Sequence, residues 1–244
     1  MLHQIESLES TTFWFPGRWI AGVSMIIAPL LLILSQLLLI QFEFFFPQQL
    51  KAFDQLPTLV TTAYSLFLAG NILLWPAIVT VANLVGQRQP AWACWGGTLV
   101  MLGLFARSFH YGINHLAFQL VKVQNLPLAI KAVADSYGAF HIVSSLSAAI
   151  MFGWVILAVG TYRSGVLSLV GSIGLGLMSA LMLGVLKGTS FVSILATTGL
   201  CIALLPLGKR VLMSGALPSL RMIVSWSLLI LGLATFMYFF GQAG

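Results

Sequence analysis

The sequence predicts an all-α, polytopic integral membrane protein: a bundle of seven transmembrane helices forming a single membrane-embedded domain over residues 1–244. Three observations predict it. First, charged side chains make up 7% of the 244 residues and hydrophobic ones 59%, whereas soluble domains carry about 25% charged residues. So few charges cannot cover a globule with polar surface, so lipid must be the solvent for most of the chain. Second, apolar runs of about 20 residues, the length a helix needs to cross a bilayer core, recur along the whole chain. Third, the eleven basic residues fall mostly singly between these runs, which is how membrane topology is written. The net charge of +6 therefore reads as anchoring, and no nucleic-acid partner is expected.

The predicted spans are 18–41, 58–85, 91–119, 134–161, 165–186, 189–207 and 220–241. Residues 1–17 begin polar and turn aromatic at Phe13, Trp14, Phe15 and Pro16, as expected of a segment at the membrane interface. The first run is too long for a signal-peptide core and no small-residue cleavage site follows it, so it reads as a retained span. Pro29 and Pro76 lie inside the first two spans. Pro76 should kink its helix and free a carbonyl near Asn71. The 43–57 linker, with Phe44-Phe45-Phe46-Pro47, reads as a second interfacial segment. Lys187-Gly188 is the tightest connection. If 165–186 and 189–207 form one hairpin that does not cross, the count falls to six and the later topology inverts. Within 165–186, and from Ser164 just before it, Ser164, Ser168, Ser172, Gly176, Ala180 and Gly184 recur every four residues. Such a stripe lets another helix approach closely, either within the bundle or in a homo-oligomer or membrane partner. Cys94 and Cys201 read as small buried hydrophobes with no disulfide framework.

Orientation follows from the Lys/Arg distribution. With seven spans and the N-terminus inside, the inner side holds Arg18, Arg88, Arg163, Lys209, Arg210 and Arg221, and the outer side holds Lys51, Lys122, Lys131 and Lys187. The excess on one side favours N-inside, C-outside, in a cell membrane.

The candidate site lies in Leu104–Lys122, LFARSFHYGINHLAFQLVK. Polar residues inside a span are costly and face the bundle interior or a water-filled cavity. At about 100° per residue, Arg107, His110, Tyr111 and Asn114 share one third of the helical wheel, with His115 at its edge. In the fourth span Tyr137, His141, Ser144 and Ser145 share a face. Ser35, Gln36, Thr61, Thr62, Tyr64 and Ser65 fall at similar depth. Together these predict a polar pocket in the outer leaflet between spans three and four. Asp135 reads as a first-turn helix-dipole partner of the fourth span.

Several functions remain open for this cluster. Arg107 with His110, Tyr111 and Asn114 suits a small lipophilic or anionic-headed ligand or cofactor, held by an enzyme acting on a lipid or isoprenoid (with His110 or His141 as acid or base), or by a carrier or sensor. His110 or His115 with His141 would suit a b-type haem. The three histidines would suit a metal only poorly, since His110 and His115 diverge by about 140° on an ideal helix. An internal polar network in an accessory subunit needs no ligand. Other classes are disfavoured. Residues 220–241 hold no lysine for a retinal Schiff base, and the chain has no G-x-S-x-G, H-E-x-x-H or phosphate-binding loop. No carboxylate lies deep in a span, and no charge ring marks a channel filter.

Overall fold

The computed structural model describes residues 14–136, 142–181, 184–216 and 218–242, all of whose regular structure is helical. The chain forms two compact units, Met1–Leu212 and Met213–Gly244. The first holds α1 (Arg18–Leu39), α2 (Gln48–Gln55), α3 (Pro57–Gly86), α4 (Pro90–Val123), α5 (Leu126–Ser136), α6 (Ile142–Ser164), α7 (Leu169–Gly176) and α8 (Phe191–Leu212). The second holds α9 (Leu220–Gln242), whose first turn is tied by Met222 N–H donating to Ser219 Oγ at 3.3 Å.

Local chemistry sets the helix ends. Pro57 and Pro90 open α3 and α4, where a missing N–H costs nothing. Asn125 Oδ1 accepts from Leu128 N–H at 3.0 Å and Ser168 Oγ from Gly171 N–H at 3.3 Å, capping α5 and α7. Arg163 lies in the last turn of α6, and Lys209 and Arg210 in that of α8, where cations complement the helix dipole.

The long helices of the first unit pack antiparallel at very close range. A Cβ on Gly96 would lie 2.7 Å from Leu157 N, and one on Gly153 2.6 Å from Val100 N, so α4 and α6 touch through backbone. Gly103 meets Ile150 further along the same seam. Gly22 meets Gly208 between α1 and α8, Gly70 meets Ala28 and Leu32 between α3 and α1, and Gly174 meets Gly199 between α7 and α8. Small residues substitute here for the hydrophobic drive that lipid removes. One end of this unit, the base, carries Arg88, whose Nη1 donates to Ser164 O at 3.0 Å. The opposite end, the cap, carries α2, α5 and residues 187–190, tied together where Gly188 N–H donates to Phe44 O at 2.8 Å.

Five helices among the described residues are long and apolar enough to cross a membrane: α1, α3, the 146–164 part of α6, α8 and α9. They are compatible with a multi-pass membrane protein. The 34-residue α4 is long enough, but its own polar residues lower its hydropathy. The expected continuous span at 165–186 does not form. Instead α7 gives way to a 3-10 turn, Leu177–Ala180, and residues 184–190 at the cap are not helical. Gly184 at φ +147° and Leu186 at φ +51° are incompatible with continued right-handed helix.

The small-residue stripe therefore does not lie on one helix. Ser164 ends α6 and Ser168 caps α7; Ser172 Oγ lies 3.1 Å from Thr161 Oγ1, Gly176 packs on the Ala158 methyl, and Gly184 follows the break. Cys94 is exposed and Cys201 half-buried, so neither is a buried hydrophobe. Cys94 faces outward because α4 turns Gly96 and Val100 toward α6. Asp135 lies in the last turn of α5 and is exposed, which removes its expected first-turn dipole role. The 43–57 linker forms α2, with Leu50 and Phe53 buried.

The apolar interior has two parts. One surrounds Met25, Leu32, Leu74, Leu104, Trp154, Leu175 and Leu200. The other, at the cap, surrounds Leu39, Leu50, Phe53, Val60, Phe118, Val121 and Leu186. A polar band crosses the unit between them.

Replacing Gly103 with valine drives a side chain into Ile150 at a helix seam that cannot move apart. Overpacking of this kind costs roughly 1–3 kcal/mol, and Gly103→Val is expected to lower the melting temperature in detergent. Gly112 has open space around it, so Gly112→Ala is expected to be neutral or to stabilise by up to about 1 kcal/mol through helix propensity.

Candidate functional site

The polar band is built where helical spacing aligns three residues of α4. Arg107, His110 and Asn114 fall at intervals of three and four, on one face of the helix, and all three are buried. Arg107 lies 17 residues after Pro90, about 26 Å along the helix at 1.5 Å per residue. Ser35 lies equally far from Arg18 on α1. Arg107 meets Asn71 of antiparallel α3 and Leu181 after α7, and Ser35, Tyr64 and Arg107 line one cavity.

The chain after α7 determines the local chemistry. Away from water, every unpaired backbone group costs free energy. Leu181 and residues 184–189 lie outside the helices, and residues of α1, α3 and α4 meet their polar groups. Arg107 Nη2 donates to Leu181 O at 3.1 Å. Asn114 Oδ1 accepts from Leu186 N–H at 2.7 Å. Tyr64 lies with its hydroxyl 3.2 Å from Lys187 O and 3.1 Å from Gln49 Oε1. Thr189 Oγ1 contacts Gln36 O and Oε1 at 2.9 and 3.0 Å. The Asn114 bond supports a fully buried leucine in the left-handed region, a conformation that costs about 1–2 kcal/mol.

Not every group in the band is matched. Arg107 is 3% exposed. Its two partners among the described residues, Leu181 O and Asn71 Oδ1 at 3.5 Å, are neutral, and the second bond is long. Among the described residues Arg107 Nε has no partner, nor has Ser35 Oγ, fully buried across the band. Both residues line one cavity of about 40 Å³. A water needs about 10–15 Å³ on this measure, so the space suits a few waters or one small polar group. Its described wall includes Arg107 and half-buried Lys187 but no Asp or Glu. Lys187 Nζ also sits 4.6 Å above the Phe45 ring, a cation–π arrangement.

Of the sequence-predicted residues, Arg107, His110, Tyr111 and Asn114 line this cavity together with Ser35, Gln36 and Tyr64. His115 does not. It is exposed and borders a separate niche beside Thr61, Tyr111 and Phe118. Tyr111 connects the two niches, its hydroxyl lying 3.2 Å from that of Ser65. Tyr137 and His141 lie outside the described residues, as do the side chains of Ser144 and Ser145. The described wall is therefore supplied by α1, α3, α4, α8 and residues 181–188, with none from α6. Missed from sequence were the backbone groups of Leu181, Leu186 and Lys187, and the residues Lys187 and Ser193. The signal was present in Gly184, Gly188 and the polar run Lys187–Ser190, which interrupt an otherwise apolar segment.

No group of three or more His, Cys, Asp or Glu able to hold a metal ion occurs among the described residues, and His110 and His115 do not share a cavity. A larger space, about 880 Å³, opens on the outer side of α3 and α4 between Trp75, Met101 and Phe105, but it lacks a charged residue. No protein-family model matches the chain, and neither the curated proteins nor the solved structures provide a match.

Asn114→Ala leaves the buried Leu186 N–H without its acceptor. An unmatched buried donor costs about 1–3 kcal/mol, so this variant is expected to melt earlier than wild type and to exchange backbone hydrogens faster across 184–189. Unchanged exchange there would mean that Asn114 does not hold the stretch.

Proposed function

We propose that this is a seven-pass protein of a cell membrane, oriented N-inside and C-outside, whose polar band binds the anionic head of a small ligand in the outer half of the bilayer. The observation that carries the ligand reading is the state of Arg107. A buried cation facing only neutral partners is expensive in a low-dielectric interior. An anion in the adjoining cavity would offset that cost and match Nε. Two basic residues and no acidic one in the described wall favour the same sign of ligand.

The seven-pass count rests on two supports beyond the five apolar helices. Phe105, Leu116 and Trp95 of α4 are 57, 60 and 65% exposed, as lipid-facing residues of a span would be. The chain also passes from Gly165 at the base, through α7 and the 3-10 turn, to Lys187 at the cap. The base carries Arg18, Arg88, Arg163, Lys209 and Arg210, and the cap Lys51, Lys122, Lys131 and Lys187, an excess that favours a cytoplasmic base.

A second reading, a carrier for the same ligand, is favoured by the break after α7. Interrupted helices whose unwound backbone borders a cavity are how many transporters build substrate sites. A haem, metal or enzymatic role has no comparable support.

The ligand reading is tested by thermal unfolding of the purified protein titrated with anionic and neutral amphiphiles. Stabilisation by anionic ones only, lost in Arg107→Ala, is the expected result. Equal stabilisation by neutral ones would remove the role given to Arg107. For topology, cysteines at Lys51 and at Gln87 are expected to react with impermeant reagent from outside and inside, respectively. The reverse pattern would place the pocket in the inner leaflet.

A further inference from the structure

We propose that the anion is a carboxylate, gripped side-on by the Nε–Nη2 edge of Arg107 with the Ser35 hydroxyl as a third donor. This rests on the anion reading of Arg107 given above and specifies its chemistry. A guanidinium offers two forks that match planar, bidentate anions. In this protein Nη1 is directed to Asn71 Oδ1 and one Nη2 hydrogen to Leu181 O. Nε, buried and unmatched, leaves the side-on fork for an incoming group. Ser35 is 0% exposed, its Oγ has no partner among the described residues, and the residue lines the same cavity.

Donor number and space both select the anion. A carboxylate has two oxygens, which two fork hydrogens and one hydroxyl serve well. A phosphate monoester brings about −1.5 to −2 charges and three strong acceptor oxygens, whose lone pairs exceed the three free donors by more than a carboxylate's roughly four acceptor sites do. The cavity of about 40 Å³ accepts a head group but no long chain. The carboxylate then belongs either to a short free acid held whole or to a fatty acid whose chain stays outside the cavity.

The test uses the full-length protein in lipid nanodiscs. Thermal unfolding is followed against sodium acetate, decanoate, inorganic phosphate and chloride, in wild type, Arg107→Lys and Ser35→Ala. Stabilisation by a carboxylate and by neither other anion is expected. Arg107→Lys keeps the charge but loses the fork, and is expected to weaken carboxylate binding at least about tenfold. Ser35→Ala removes one donor to a charged group and is expected to weaken it roughly tenfold. Decanoate far tighter than acetate would support the proposal with a fatty-acid source, and comparable affinities would support it with a short-acid source. Stabilisation by phosphate or chloride but not by carboxylates would overturn the carboxylate assignment while leaving Arg107 an anion site. No response to any anion would overturn both readings. Should Arg107→Lys fail to fold, Ser35→Ala decides, and unchanged carboxylate affinity in it would overturn the three-donor arrangement.

Discussion

The rest of the first unit depends on one constraint: Leu181 and residues 184–189, which lie outside the helices, sit inside an apolar bundle and must have their polar groups matched. In water such a loop would be satisfied by solvent. Here the matching comes from side chains on α1, α3 and α4, through Gln36, Tyr64, Arg107 and Asn114. Each of these residues sits at a depth dictated by the loop atom it meets. The polar band is therefore the negative image of the interrupted segment, and the two apolar clusters are what remains of the interior on either side.

Close helix packing is what makes this matching possible. Gly96, Gly103 and Gly153 let α4 and α6 touch through backbone, while Gly174 and Gly199 do the same for α7 and α8. With those pairs drawn together, the chain after α7 is pressed against α4, near enough for Arg107 and Asn114 to reach its carbonyl and amide. Wider helices in the same places would set the stretch beyond the reach of these side chains. Packing by small residues and polar matching are thus two parts of one arrangement.

The membrane class was legible because it depends on composition and run length, which survive any error in detail. The inward face of α4 was legible because Arg107, His110 and Asn114 share a helical sector, and such residues have few places to go in a span. The end of α7 was not. The run 165–186 is apolar enough to read as helix, and its small-residue spacing of four mimics a packing stripe; only Gly184 and the polar run from Lys187 to Ser190 mark the break. The described part of the cavity wall comes from α1, α3, α4, α8 and the chain after α7, whereas Tyr137 and His141, the residues expected from the next span, lie outside the described residues. Periodicity reports which face a residue occupies, and it is silent on which neighbour that face meets. His115 shows the limit of the wheel itself, since a residue at the edge of the sector is turned out by a few tens of degrees.

Holding the loop explains most of the polar band but not all of it. Asn114, Tyr64 and Gln36 have partners suited to neutral groups, and a structural role accounts for them. Arg107 is different. The Leu181 carbonyl needs one donor, which a neutral amide would supply without burying a charge. A guanidinium brings five donors, and those given to Leu181 and Asn71 leave Nε buried and, among the described residues, unmatched, in a cavity wall that also includes Ser35, whose hydroxyl is unmatched too. Structure alone selects against such a residue at this position, because its desolvation is uncompensated by anything described around it. The proposed anion draws on all three: the unmatched donors among the described residues, the positive charge, and the cavity that Arg107 and Ser35 both line.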